Sequence, residues 1–395
     1  MISFDEAAAI IAEAARPLGE ETIPLMQAHR RVLARPVVAK ISAPACDVST
    51  MDGYAVREAD LRAAPARLRI LGESWPGTGF ADAVELGECV RIFTGAPVPP
   101  GADHVVIQEA VRRDGAEALF ESWGDGPRYS RAAGSDFRAG DTLLEDGTLL
   151  EARQLVAAAA ADMGDVEVWR RPDITMLCTG DELSPPGTAA GRAGSVPESL
   201  SVGIAALVET WGGRFTGSVL LGDDLPRMEA EAGRALDSTD LIVVTGGASV
   251  GERDFAKRMF EPHGLKLLFS KVAMKPGKPV WFGRAGGTLV LGLPGNPTSA
   301  MVTARLLLAP SLAGLSGLHL SVAHRWRKMP LADATGAVGE RETFARGTME
   351  GDCVRLAANQ DSGAQRALAQ SDLLVRLPAG GPGRGAGEMV DVLDF

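Results

Sequence analysis

Apolar and polar positions follow different periods along this chain, and the changes of period divide it. An Ala/Ile-rich stretch with helical spacing follows Ser3-Phe4-Asp5-Glu6, in which Ser and Glu three residues apart make a capping box. It predicts a helix to about Ala15, stopping before Pro17 and Gly19. Residues 46–137 read as short strands split by Gly, Pro and Asp, a β-rich module. A second Ala-rich helix is predicted from Glu151 to about Met163, ending at Gly164. Its likeness to the first suggests that the two pack side by side and that the β module is inserted between them. From Pro172 to about Leu320, apolar runs at 174–178, 241–245, 265–269 and 288–292 alternate with helical windows at 199–211, 225–236, 254–261 and 298–309. That alternation predicts βαβ units and a mainly parallel sheet. From His324 onward short strands with turn signals return, predicting a small C-terminal β domain. The expected fold is therefore multidomain, α/β plus β. A discontinuous N-terminal helical/linker domain (1–45 and 138–171) would carry the inserted module (46–137), followed by an α/β domain (172–320) and a β domain (321–395).

Composition narrows the function classes. At 395 residues the chain exceeds one ordinary core, and 46% apolar with 23% charged residues is a globular balance. A net charge of −11 argues against nucleic acid or an anionic membrane as partner, though not against a small anion met by local lysines. Cys46, Cys89, Cys178 and Cys353 show no metal-ligand spacing, so a reduced, cytoplasmic protein is expected. Neither a signal peptide nor a membrane span is indicated.

The strongest chemical signal is Thr245-Gly246-Gly247-Ala248-Ser249-Val250-Gly251-Glu252-Arg253-Asp254, directly after the apolar run Leu241–Val244. A buried strand there delivers a Gly-rich turn whose N–H groups approach an anion without Cβ obstruction, with carboxylates close behind. Thr179-Gly180-Asp181-Glu182-Leu183 repeats the theme after 174–178. Two such turns imply a phosphate-plus-metal site at the carboxyl edge of an open sheet. Gly247-Ala248-Ser249-Val250-Gly251 also matches a nucleophile-elbow pattern, but the flanking glycines and polar residues suit an anion cradle better than a serine hydrolase. Lys271, Lys275 and Lys278, stiffened by Pro276 and Pro279, make a cationic loop fitted to an oxyanion; it is not a Walker loop, because Val272 stands where glycine is required. In Leu293-Pro294-Gly295-Asn296-Pro297, Asn296 as N-cap explains helix initiation as well as a ligand-facing helix N-terminus does. Asp52-Gly53, alone, is foremost a hairpin turn. The rigid loop from Thr94 to Asp103 has no evident packing purpose, and Arg131, Gly134 and Asp136 close the module.

Taken in order, Met51-Asp52-Gly53-Tyr54-Ala55, Thr94-Gly95-Ala96-Pro97-Val98-Pro99, Thr179–Leu183, the Thr245–Asp254 turn, Lys275-Pro276-Gly277-Lys278-Pro279 and Leu293–Pro297 closely resemble the molybdopterin molybdenumtransferases, the molybdenum insertases that include the gephyrin E domain. Each motif is weak alone; six in order across nearly the whole chain are specific. The resemblance implies an elongated homodimer of four-domain subunits. One domain would be an open α/β/α sheet shared with molybdopterin adenylyltransferases, and the last a small β-barrel. It implies a reaction that consumes adenylylated molybdopterin and molybdate, releases AMP and leaves molybdenum on the dithiolene sulfurs, with Mg2+ as helper ion. The implied site is a cleft between the α/β domain of one subunit and the inserted module of the other. Gly246, Gly247, Ser249, Lys271, Lys275, Lys278, Pro294 and Asn296 would hold the anions. Asp181, Glu182, Asp223 and Asp254 are the carboxylates suited to Mg2+. By the same likeness Asp52, Thr94, Arg131 and Asp136 line the other wall, with Glu182 and Asp254 sharing the catalytic role. Arg346 and Ser371 resemble ligand positions in the last domain.

Two residues depart from the family pattern. Leu200, in Glu198-Ser199-Leu200, stands where an amide is expected after an unusual Pro197, and Cys178 stands where Ser is common. Leu200 leaves open a non-catalytic carrier or scaffold paralogue, and the shared α/β fold an adenylyltransferase; the inserted module and C-terminal domain argue against the latter. A separate adenylyltransferase and molybdoenzyme delivery proteins are possible partners. Molybdate and tungstate, alike in charge and shape, are not separated by residue choice.

Overall fold

The computed structural model describes residues 1–62, 65–121, 127–246 and 255–395. Its centre is a six-stranded sheet in the order Arg214–Leu221, Asp173–Thr179, Leu241–Thr245, Thr288–Leu293, Trp281–Ala285, Lys266–Phe269. The first four strands are parallel, and the last two join antiparallel. Every residue of Leu241–Thr245 and of Thr288–Leu293 is buried, which is why their apolar runs are unbroken: helices cover both faces. One face packs on Leu200–Thr210 and the helix from Pro297, the other on Leu225–Leu236 and Phe255–Arg258. The sequence pattern missed Arg214–Leu221 and Trp281–Ala285. The first alternates exposed and half-buried positions, and the second carries Gly283 and Arg284.

The helix beginning at Pro297 runs through a π-helical turn, Ala304–Leu308, to Leu315, longer than the predicted window. It is apolar and long enough to cross a membrane, but 94% of it is buried inside the protein, as a core helix is.

The N-terminal helix Phe4–Ala14 has the expected cap: Ser3 Oγ accepts from the Glu6 N–H (3.1 Å) and Glu6 accepts from the Ser3 N–H (2.7 Å). Its expected packing is corrected. Phe4, Ala7 and Ile11 lie in the α/β core, with the Phe4 ring 4.8 Å from that of Phe344. The second Ala-rich helix, Ala152–Ala160, belongs to a separate cluster with Leu33, Val37, Val166 and Val168. Similar Ala-rich faces do not specify partners; the larger Phe4 and Ile11 select the deeper core.

Residues 20–24 pair with 165–169, and 37–38 with 142–144. The β module is entered and left through the Ala43–Phe137 bridge and the pairing of Val48–Ser49 with Ser130–Arg131. Beyond this neck lies a mixed six-stranded sheet in the order 104–107, 53–56, 88–92, 66–74, 117–120, 111–114. In the C-terminal part, Glu342–Glu350, Leu373–Leu377, Met389–Asp394 and Arg327–Pro330 follow one another, Cys353–Leu356 pairs the first, and a Leu331–Val354 bridge joins the edges. Met274–Lys275 adds to this sheet parallel to Glu342–Thr343, so the lysine loop is held between the α/β and C-terminal parts.

Candidate active site

All four parallel strands end at one place. Register aligns Thr179 with Leu221, Cys178 with Thr245, and Thr245 with Leu293, so the turns at Gly180, Gly222, Gly246 and Pro294 lie along one edge. Strand Asp173–Thr179 is flanked by the next two strands in sequence, one on each side, so the chain's winding direction reverses beside it. A crevice is expected outside the strand ends at such a switch. A cavity of 640 Å³ is there, with Glu182, Glu198, Leu200, Asp223, Gly246 and Asn296 among its lining. A neighbouring cavity of 1120 Å³, shared along Pro279, Pro294 and Asn296, carries Lys275, Lys278, Arg341 and the loop Gln360–Ser362.

The close approach of these turns needs glycine. At Gly246 (φ +86°) a Cβ would meet the Thr179 carbonyl oxygen at 2.2 Å. At Gly277 (φ +104°) it would meet Thr303 Oγ1 at 2.5 Å. The acidic wall is preset in the same way. Asp181 Oδ1 accepts from the Asp223 N–H at 3.0 Å, linking the turns that follow two adjacent strands. Glu182 and Asp223 face the cavity, while Asp181 braces the Asp223 turn. Among the described residues no three His, Cys, Asp or Glu side chains form a preassembled metal cage. Two carboxylates beside room for a phosphate still fit Mg2+, which keeps waters and takes substrate oxygens.

Two helix N-termini face this cavity, and they differ. Helix Leu200–Thr210 is closed by its own neighbour. The Glu198 carboxylate, 5% exposed, accepts from the N–H groups of Leu200 (2.8 Å) and Ser201 (3.0 Å) and from the Ser201 hydroxyl. The N–H groups of Val196 and Glu198 bond to Glu182 and Ser184 carbonyls, so the missing N–H of Pro197 is not needed. Asn296, by contrast, makes no capping hydrogen bond and sends its amide to Ser362 Oγ at 3.1 Å. The N-terminus from Pro297 is therefore open toward the cavity, favouring the ligand-facing reading of this turn.

These contacts recast the departure at Leu200. The expected amide is not needed as a cap, because Glu198 supplies one, and Leu200 is 6% exposed within the main core. Leu200→Asn is expected to destabilise the protein by about 2 kcal/mol, since it buries an amide among apolar neighbours. A melting curve at or above that of the parent would contradict this. Cys178 is likewise a core residue: burial pushes its thiol up to about 12, so it stays neutral and inert.

Other expected residues stand elsewhere. Lys271 is exposed, accepts the Ile2 N–H through its carbonyl, and lines neither cavity. Arg346 is 1% exposed, its guanidinium donating to the carbonyls of Asn359, Asp361 and Ala364. It organises the loop that reaches the lysine cavity instead of facing that space. Ser371 donates to the Ala367 carbonyl (2.7 Å) and lines a separate surface cavity. Gly247, Ser249 and Asp254 lie outside the described residues.

Asp52, Thr94, Arg131 and Asp136 are on the inserted module and line neither cavity within one chain. Asp52 Oδ1 accepts from both the N–H and the hydroxyl of Thr94, each at 2.8 Å. These bonds hold its carboxyl below the usual range, so it is ionised near neutrality. The stabilisation they give is complete above the ordinary Asp value and is lost as pH falls through the depressed one. Glu198, Arg341 and the 360–362 loop were missed as site residues. Glu198 had a signal, an acid just before a helix, whereas the 360–362 loop has none, because only tertiary structure carries it to the lysines.

Comparison with known proteins agrees with this architecture. Residues 2–162 match the family described as MoeA N-terminal region (domain I and II), 175–314 the probable molybdopterin binding domain, and 328–395 the MoeA C-terminal region (domain IV). The molybdopterin molybdenumtransferase of Haemophilus influenzae is 33% identical over 349 residues, 88% of this chain and 84% of that protein. Molybdopterin molybdenumtransferase 2 of Mycobacterium tuberculosis is 36% identical over 330 residues, 80% of each. A crystal structure of the molybdopterin biosynthesis moeA protein from Pyrococcus horikoshii superposes with a TM-score of 0.84 at 27% identity, covering 100% of this chain and 99% of that one. On sequence and fold together, this chain belongs to the molybdopterin molybdenumtransferase family.

Proposed function

We propose that the protein acts in molybdenum cofactor biosynthesis by transferring molybdate to the dithiolene of adenylylated molybdopterin, with release of AMP. The observation that carries this reading is the junction of two cavities along Pro279, Pro294 and Asn296. One has carboxylates, a glycine turn and an open helix N-terminus; the other has Lys275, Lys278 and Arg341. A phosphoanhydride and a second oxyanion need two adjoining sites of this kind. In this reading Glu182 and Asp223 would hold Mg2+, with Asp181 bracing the Asp223 turn. The ion, when bound, neutralises charge on the phosphates. The backbone at Gly246 and at the start of the Pro297 helix orients the phosphoanhydride, while the two lysines hold molybdate.

Asp52, Thr94, Arg131 and Asp136 then serve the neighbouring subunit of a cytoplasmic homodimer, closing the cleft from its other side. The test is AMP release by the purified protein from adenylylated molybdopterin with Mg2+. Release that depends on molybdate and yields active cofactor is the expected result; tight binding without release would make the protein a carrier. Lys275→Ala should raise the molybdate concentration needed for half-maximal release about tenfold, and less at high salt, where the charge it removes is already screened. Full activity at limiting molybdate would remove this lysine from the site.

A further inference from the structure

A third cavity, of 460 Å³, opens where the linker strands meet the α/β part, at the other end of helix Leu200–Thr210. An eleven-residue helix spans roughly 16 Å, so this cavity, lined by Thr210, Trp211 and Gly212, is well separated from the strand-end pocket that holds Leu200. Its walls carry Arg30, Arg31, Arg153, Arg171 and Arg325 against one carboxylate, Glu151, in a chain of net charge −11.

Two of these arginines are committed. Arg31 bonds Glu21 and the Trp169 carbonyl, and Arg30 donates to the Thr210 carbonyl. Among the described residues, Arg153, Arg171 and Arg325 have no ion pair. Burial and the charge of Arg31 push the Arg171 guanidinium below its ordinary value, and the carboxylates of Glu21 and Glu209 offset this only in part. Two lining polar atoms also lack partners: Gln154 Oε1, and the hydroxyl of Ser316, a residue only 6% exposed. The three guanidinium groups reach solvent, while the two buried polar atoms beside them lack partners until something fills the space. Planar guanidinium groups match phosphate oxygens, and Trp169 and Trp211 offer an aromatic wall for an organic remainder.

We propose that this cavity binds a phosphorylated small molecule, the phosphate among Arg153, Arg171 and Arg325 and the organic part against Trp169 and Trp211. Calorimetric titration of the full chain with AMP and with ribose 5-phosphate tests it, the binding removed by Arg171→Gln with Arg325→Gln being assigned to this cavity and the remainder to the strand-end pocket. Saturable binding is expected, weakened about tenfold or more by Arg171→Gln with Arg325→Gln. AMP binding more tightly than ribose 5-phosphate would identify a nucleotide site, and equal binding a sugar-phosphate site; both support the proposal. Unchanged affinity in the double variant, or no saturation by either ligand below about 10 mM, would overturn it. Should that variant fail to fold, Arg153→Gln, exposed on its helix, repeats the measurement under the same criteria.

Discussion

Gly246→Ala is expected to collapse the strand-end pocket. The new methyl would stand 2.2 Å from the Thr179 carbonyl oxygen and 2.5 Å from Thr179 Oγ1, far inside contact distance. Neither atom yields easily. Thr179 ends a strand paired on both sides, and its hydroxyl donates to the Thr245 carbonyl at 3.0 Å. A φ of +86° adds a backbone cost that alanine bears and glycine does not. Together these contributions amount to about 2–4 kcal/mol, a melting-temperature fall of about 2–5 °C for a chain of this length. AMP release should fall at least a hundredfold, because the N–H groups proposed to meet the phosphates move with the turn. Thermal melting with the release assay decides it: a variant melting within about a degree of the parent, with its activity, would show that the close approach is not required.

The second large effect is expected at Glu198. Glu198→Ala strands the N–H groups of Leu200 and Ser201, and a buried donor left unpaired costs about 1–3 kcal/mol. The cavity offers water or the substrate a way to those donors, so the loss should be partly repaired when ligand is present. Glu198→Gln retains one carbonyl acceptor for the cap and removes the charge. It separates capping from electrostatics: Gln should recover most of the stability lost in Ala. If negative charge at this wall repels the phosphates, Gln should also bind adenylylated molybdopterin more tightly than the parent. Equal melting of Ala and parent would show that the carboxylate does not hold the helix.

These predictions rest on different amounts of sequence information. The runs 241–245 and 288–292 were legible as buried strands because burial on both faces leaves no polar interruption. Ser3 and Glu6 announced their helix because capping is local, satisfied within one turn. Gly180 and Gly246 were legible as turns that bring backbone close to something, although that something includes Thr179 as well as any ligand. Strand Arg214–Leu221 was not legible, since a half-exposed edge strand lacks the apolar run that marks its neighbours.

By itself, then, the sequence determined the division into β-rich and α/β segments, the glycine turns at strand ends and the family, each a property of residues near one another along the chain. Tertiary structure alone decided which core receives the helix Phe4–Ala14, which of two helix N-termini stays open, and that Arg346 supports a loop. It alone gathered arginines from positions 30 to 325 around one cavity. The physical reason is that capping, turn geometry and strand burial are short-range, whereas partner choice depends on which distant surfaces fit. Two Ala-rich helices, or two helix starts, are equivalent in sequence until a neighbour such as Phe344 or Ser362 distinguishes them.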